Sequence, residues 1–263
     1  MRNLRFVLHL MKRKAQRTMA YRFSFFSGSF VDSSLFFLWL VMFEAIYSET
    51  EAIGGWNKGQ MVIFLGTFSL LNAINMVLYF FGTIRIPQLI VSGGLDEYVT
   101  KPVNALLRIS FEEINLGSLP LIPVSLCIIG SGISQAGIAL TAGNCALYAA
   151  FVLLMAVLYY DIEVFLRTLP FFAPSATAAV EQFEGAALEM CMRVPGTLYH
   201  GAMKFLFYLV IPYGILATVP TQILTGEAGL WLLLWSAGVV AGFTALTLWL
   251  WKQGLRRYCS TGS

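Results

Sequence analysis

Long apolar runs constrain this chain more than any other feature. A helix needs about 20 mostly apolar residues to cross a bilayer. Six stretches qualify, at about 23–47, 60–82, 112–133, 138–160, 203–220 and 230–251. Helices are the expected form, because each satisfies its own backbone polar groups in lipid. Charged residues make up 12% of the chain and hydrophobic ones 58%, whereas soluble domains carry roughly a quarter charged residues. The expected fold is therefore all-α and polytopic. The first run is too long for the apolar region of a cleavable leader, so it is expected to stay as a span.

Orientation follows from lysine and arginine. With the N-terminus in the cytoplasm, the outer loops are about 48–59, 134–137 and 221–229, and they hold one basic residue, Lys58. The remaining bases then fall on the cytoplasmic side, as do both termini. Residues 161–202, with Pro170, Pro174 and Pro195, fit best as a cytoplasmic or re-entrant segment. An in-and-out hairpin would keep the same parity.

Residues 1–22 carry seven bases (Arg2, Arg5, Lys12, Arg13, Lys14, Arg17 and Arg22) and no acid. Between residues 2 and 19 the bases share one helical side, while Leu4, Val7, Leu8, Met11 and Ala15 share the other. Such a helix lies in the membrane interface, with bases toward anionic headgroups. A lipid surface, not nucleic acid, is the expected partner.

The segment Val91 to Asn104 lies between the second and third spans, on the cytoplasmic side. Gly93 and Gly94 end the preceding helix. Leu95, Tyr98 and Val99 fall at i, i+3 and i+4, one apolar face of a short helix. Asp96 and Glu97 sit at its start, where the helix dipole favours anions. Pro102 stops it. From pattern alone this is an interfacial loop helix or a docking helix.

The stretch "GGLDEYVTKPVN" resembles the G-x-L-D-x-Y-L-x-K/R-P element found after the second span in permeases of the type-2 ABC exporter class. Two further stretches resemble a bacterial permease family in that class. They are "KFLFYLVIPYGILATVPTQILTG" (Lys204 to Gly226) and the ending "WKQGLRRYCSTGS" (Trp251 to Ser263). The order of spans agrees over essentially the whole chain, but 161–200 matches no family signature. The resemblance implies one transmembrane domain over 1–263. It also implies a coupling helix at about 93–101 that docks on an ATP-binding subunit through Gly94, Leu95, Asp96, Tyr98, Val99, Lys101 and Pro102. In that reading Leu95, Tyr98 and Val99 are anchors buried in the partner, and Lys101 is a rim contact. Implied partners are a pair of ATP-binding subunits, a second permease chain (identical or paralogous) and the bilayer of the bacterial inner membrane. The implied activity is transport, in the export direction, of a hydrophobic or amphipathic compound.

No G-x-x-x-x-G-K-[ST] phosphate loop occurs, so ATP and Mg²⁺ are expected on the partner and no cofactor on this chain. A membrane-embedded enzyme acting on lipid-linked substrates would need a nucleophile with its base, a metal set or paired acids. The two histidines, His9 and His200, are expected at cytoplasmic edges, and neither belongs to an H-E-x-x-H motif. No metal site or catalytic residue is expected. An ATP-independent carrier is disfavoured by sparse intramembrane charge and the lack of an internal repeat. Cys127, Cys145, Cys191 and Cys259 show no metal or redox spacing.

Polar residues inside spans are candidates for a translocation path or for inter-helix contacts. They are Ser29, Asp32 and Ser33 in the first span and Asn72 and Asn75 in the second. Glu163 and Arg167 stand four apart, a helix ion-pair spacing. The acidic helix at about 178–190 is expected to present a solvated face or a second docking contact.

Overall fold

A computed structural model describes residues 22–258. The amphipathic N-terminal segment expected before residue 22 lies outside the described residues. The regular structure among the described residues is helical, apart from an isolated antiparallel bridge between Ile53 and Trp56. Helix α1 spans Arg22–Tyr47 and α2 spans Lys58–Leu78. Four short helices follow: α3 (Phe80–Thr83), α4 (Ile86–Ser92), α5 (Asp96–Val99) and α6 (Ala105–Glu112). Then come α7 (Leu121–Ala136), α8 (Ala142–Thr168), α9 (Thr177–Arg193), α10 (Gly201–Phe205), α11 (Thr218–Leu224) and α12 (Leu230–Arg257).

Four helical stretches are long and apolar enough to cross a membrane: Lys58–Leu78, Leu116–Ala136, Ala142–Phe171 and Leu230–Arg257. A bent pair, Gly201–Val210 with Tyr213–Leu224, makes a fifth if it counts as one span. Helix α1 has 26 residues, enough for about 39 Å at 1.5 Å per residue. The third span starts later than the apolar count suggests. The Asn115 side chain accepts from the Gly117 backbone N–H and opens a helical turn there, and α7 itself begins after Pro120.

Helix α2 is the centre of the bundle. Its N-cap Asn57 side chain accepts from the Gln60 backbone N–H, and the Gln60 side chain accepts from the Asn57 N–H at 2.8 Å, a capping box. Close approach of α7 depends on Gly132: a Cβ there would lie 2.7 Å from the Ile63 backbone nitrogen. Helix α8 joins α12 through Asp161, whose carboxylate accepts from Thr244 and whose backbone carbonyl accepts from Thr247 at 3.2 Å.

Two ends of the bundle can be told apart. At one, Tyr47 donates to the Trp56 carbonyl at 3.0 Å, and the Trp56 indole donates to Glu227 at 3.2 Å. Glu44 pairs with Lys58 there. At the other lie Tyr98 and the last turn of α12.

The expected course of 161–220 needs correction. Arg167, near the Tyr98 end, pairs with Glu184 of α9 at 2.8 Å. Further along α9, Arg193 lies over the Trp39 ring, 3.9 Å from its centroid. Leu198 then reaches the Trp56 end, so close to Gly54 that a Cβ on that glycine would meet it at 2.4 Å. Helix α9 therefore carries the chain from the Tyr98 end to the Trp56 end. His200 consequently sits near the Trp56 end, opposite to expectation.

The run at 203–220 is correspondingly not a straight span. It bends by 89° at Ile211 and Pro212, where a π-helical stretch, Leu206–Val210, gives way to a 3-10 turn, Tyr213–Ile215. Both of its ends approach the Trp56 end, through Leu198 and Glu227. Its tip enters the bundle, where Tyr213 packs edge-on against Tyr159 at 6.1 Å. With both ends at one end of the bundle and its tip inside, this segment has the course of a re-entrant loop. Helix α9 supplies the passage between the two ends that the 203–220 run was expected to supply. Arg85, Lys101, Arg108, Arg167, Lys252, Arg256 and Arg257 still gather at the Tyr98 end.

Candidate functional site

The Val91–Asn104 stretch forms a compact knuckle. Helix α4 ends at Gly93, whose φ of +79° is left-handed and suits a residue without Cβ. One helical turn follows, α5, with Asp96 and Glu97 in its first turn. Asn104 then caps α6 by accepting from the Leu107 backbone at 3.1 Å.

The apolar face of this turn points inward. Leu95 and Tyr98 are 0% and 4% exposed. They belong to a cluster with Ile86, Ile90, Leu106 and Ile109, and also with Val164 of α8 and Trp251 of α12. Arg108 covers the Tyr98 ring at 4.6 Å from its centroid and lies 3.4 Å from Glu112. Leu95 and Tyr98 are thus packed within this chain, where the sequence reading expected them to be buried in a partner. The outer side is left to Val99, 47% exposed, and to exposed Glu97, Thr100, Lys101 and Pro102. Gly94 and Asp96 are partly buried at its base. Lys101 pairs with Glu97 at 3.2 Å and holds its carboxyl below the usual range.

A second constellation lies between α2, α8 and α9. Arg167 bonds Glu163 at 2.9 Å, as their i, i+4 spacing predicts, and grips both oxygens of Glu184 at 2.8 and 3.3 Å. Asn75 donates to Glu163 at 2.8 Å. The Thr83 hydroxyl accepts from Arg167 and lies 3.1 Å from Glu163. The Arg167 guanidinium also lies over Phe80, 5.2 Å from the ring centroid. Glu163, Arg167, Glu184 and Phe80 floor a cavity of about 450 Å³ that Asn72 and Tyr159 also line. The side chains of Ser29, Asp32 and Ser33 lie outside the described ones, so their place relative to this cavity is not assigned.

Sequence reasoning missed Glu184 as a partner of Arg167. The available signal was an i, i+3 acid pair, Glu181 and Glu184, within a helix otherwise rich in alanine and methionine. That composition suits burial against protein better than a solvated face.

A family model of ABC-2 family transporter proteins matches residues 33–262. The chain belongs to this family. It is an ABC-transporter membrane permease, a multi-pass protein whose family works with ATP-binding subunits. No curated protein and no solved structure gives a significant match. In this permease the knuckle and the cavity share an element: α8 contributes Val164 to the cluster behind α5 and Glu163 and Arg167 to the cavity floor.

Proposed function

We propose that this chain is the membrane half of an ATP-driven exporter in the bacterial cytoplasmic membrane, with the Tyr98 end in the cytoplasm. The observation that carries this reading is the two-sided knuckle. Its outer side offers Val99 and Lys101 to a partner. Its inner side, Leu95 and Tyr98, is packed on α8 and α12.

A separate pair of ATP-binding subunits, carrying ATP and Mg²⁺, seats on the outer side. Their closure displaces the knuckle as a rigid piece, and the buried cluster passes that displacement to the two long helices. Transmission of this kind needs packed elements with two discrete arrangements. Two permease chains, identical or paralogous, form the path between them. The cargo is hydrophobic or amphipathic.

The test is purification of the full chain from its native membrane, with identification of what accompanies it. An ATP-binding subunit with ATPase activity is expected to co-purify with the natural chain and to be lost from Val99→Asp and Lys101→Glu. Absence of any such subunit contradicts the reading. So does a Val99→Asp, Lys101→Glu double variant that retains the subunit and full transport-coupled ATPase activity.

A further inference from the structure

The cavity between α2, α8 and α9 is electrically unbalanced. Glu163, Glu181 and Glu184 line it, with Arg167 as the one base among its lining residues. That base is spent on Glu163 and Glu184. Glu181, three residues before Glu184 and on the same side of α9, makes no ion pair among the described residues. Tyr159 also belongs to the lining, its residue 0% exposed and its hydroxyl buried without a hydrogen-bond partner among the described residues.

The remaining walls are apolar, with Met76, Ile84 and Leu188 among them. Glu163 and Glu184 are buried with a single guanidinium between them, while Glu181 stands exposed at the mouth; a surplus carboxylate beside apolar walls is costly, because desolvation of a charge outweighs weak pairing. A counter-charge with an apolar body relieves both terms at once. A hydrated inorganic cation gains nothing from the walls. A chelated metal needs several carboxylate oxygens together, yet here the Glu163 and Glu184 oxygens already serve Arg167, Asn75 and Thr83. An anion meets three carboxylates against one guanidinium. The volume, about 450 Å³, lies within the range of roughly 300–1,000 Å³ usual for sites that take drug-sized molecules.

We propose that this cavity is a binding site for a lipophilic organic cation, seated with its charge toward Glu181 and Glu184 and its apolar body on Met76, Ile84 and Leu188. The inference rests on the permease reading only in calling that ligand cargo. Binding itself does not depend on it.

The probe is radiolabelled tetraphenylphosphonium, measured by equilibrium binding to the full chain purified in non-ionic detergent with whatever subunits accompany it. Saturable binding is expected, displaced by other lipophilic quaternary cations but not by tetraphenylborate, which has the same shape and the opposite charge. Glu181→Gln, at an exposed position without an ion pair, is expected to weaken binding roughly tenfold through the lost Coulombic attraction. Leu188→Trp is expected to block the site by filling it. The proposal is overturned if binding is not saturable, if tetraphenylborate displaces the probe equally well, or if both variants bind as the natural chain does. Failure of cation binding while an ATP-binding subunit still co-purifies removes this site and leaves the permease reading standing. Cation binding without any such subunit supports the site and removes the exporter reading.

Discussion

Arg167 holds Glu184 at 2.8 Å across 17 residues of sequence, and this contact ties α9 to α8. It also shows how a helix with Glu181, Glu184, Glu189 and Arg193 packs against the bundle. Its mid-helix acid faces protein, and Glu189 and Arg193 pair with each other nearer the Trp56 end. Removing one partner of a buried ion pair costs about 3–5 kcal/mol, because a charge is left uncompensated. Arg167→Met is therefore expected to lower the stability of the purified chain by about that amount. The triple change Glu163→Gln, Arg167→Met, Glu184→Gln is expected to recover most of the loss. Thermal unfolding of the three proteins in one detergent decides it, and a triple variant no better than the single one contradicts it.

Because Leu95 and Tyr98 face inward, Tyr98→Asp is expected to act on folding before it acts on docking. A buried, unpaired carboxylate costs several kcal/mol, and the cluster with Val164 and Trp251 would open. Val99→Asp, on the exposed side, is expected to leave stability within about 0.5 kcal/mol. Parallel unfolding curves check this, and equal destabilisation by the two substitutions would count against the two-sided knuckle.

The re-entrant course of 201–224 predicts where labels land. In a cysteine-free background, His200→Cys and Glu227→Cys are expected to react with a membrane-impermeant maleimide from the same side. Thr100→Cys is expected to react only from the opposite side. Labelling of His200→Cys together with Thr100→Cys would mean a straight span.

Gly132 allows α7 to lie against α2 with a backbone nitrogen 2.7 Å from where a Cβ would stand. Gly132→Leu has no room to repack there. Loss of the folded, monodisperse protein on size-exclusion chromatography is expected, whereas Gly130→Leu, with open space around its position, is expected to be tolerated.

Much of this architecture is legible from residue pattern, and the exceptions have physical causes. Helices α2, α7, α8 and α12 follow from apolar length alone, since lipid admits little else. The Glu163–Arg167 pair follows from helical periodicity. Helix α9 does not, because hydropathy weighs charge without knowing whether lipid or protein faces it. The 203–220 run has the composition of a span, and composition does not reveal that Pro212 turns it back. Periodicity also marks Leu95, Tyr98 and Val99 as one apolar face, but it cannot say what covers that face. The chain itself covers Leu95 and Tyr98. The cavity is legible only in its parts, since Asn72, Glu163 and Glu184 come from three helices.

The exposed side of α5 is expected to meet an ATP-binding subunit. The most direct measurement places a photo-crosslinking amino acid at position 99 in the full chain, in its native membrane, and identifies the adduct by mass spectrometry. A cross-link to a peptide of an ATP-binding subunit is expected, and none when the same probe replaces exposed Leu153 of α8. Cross-links from position 99 only to lipid, or only to another copy of this chain, would contradict it.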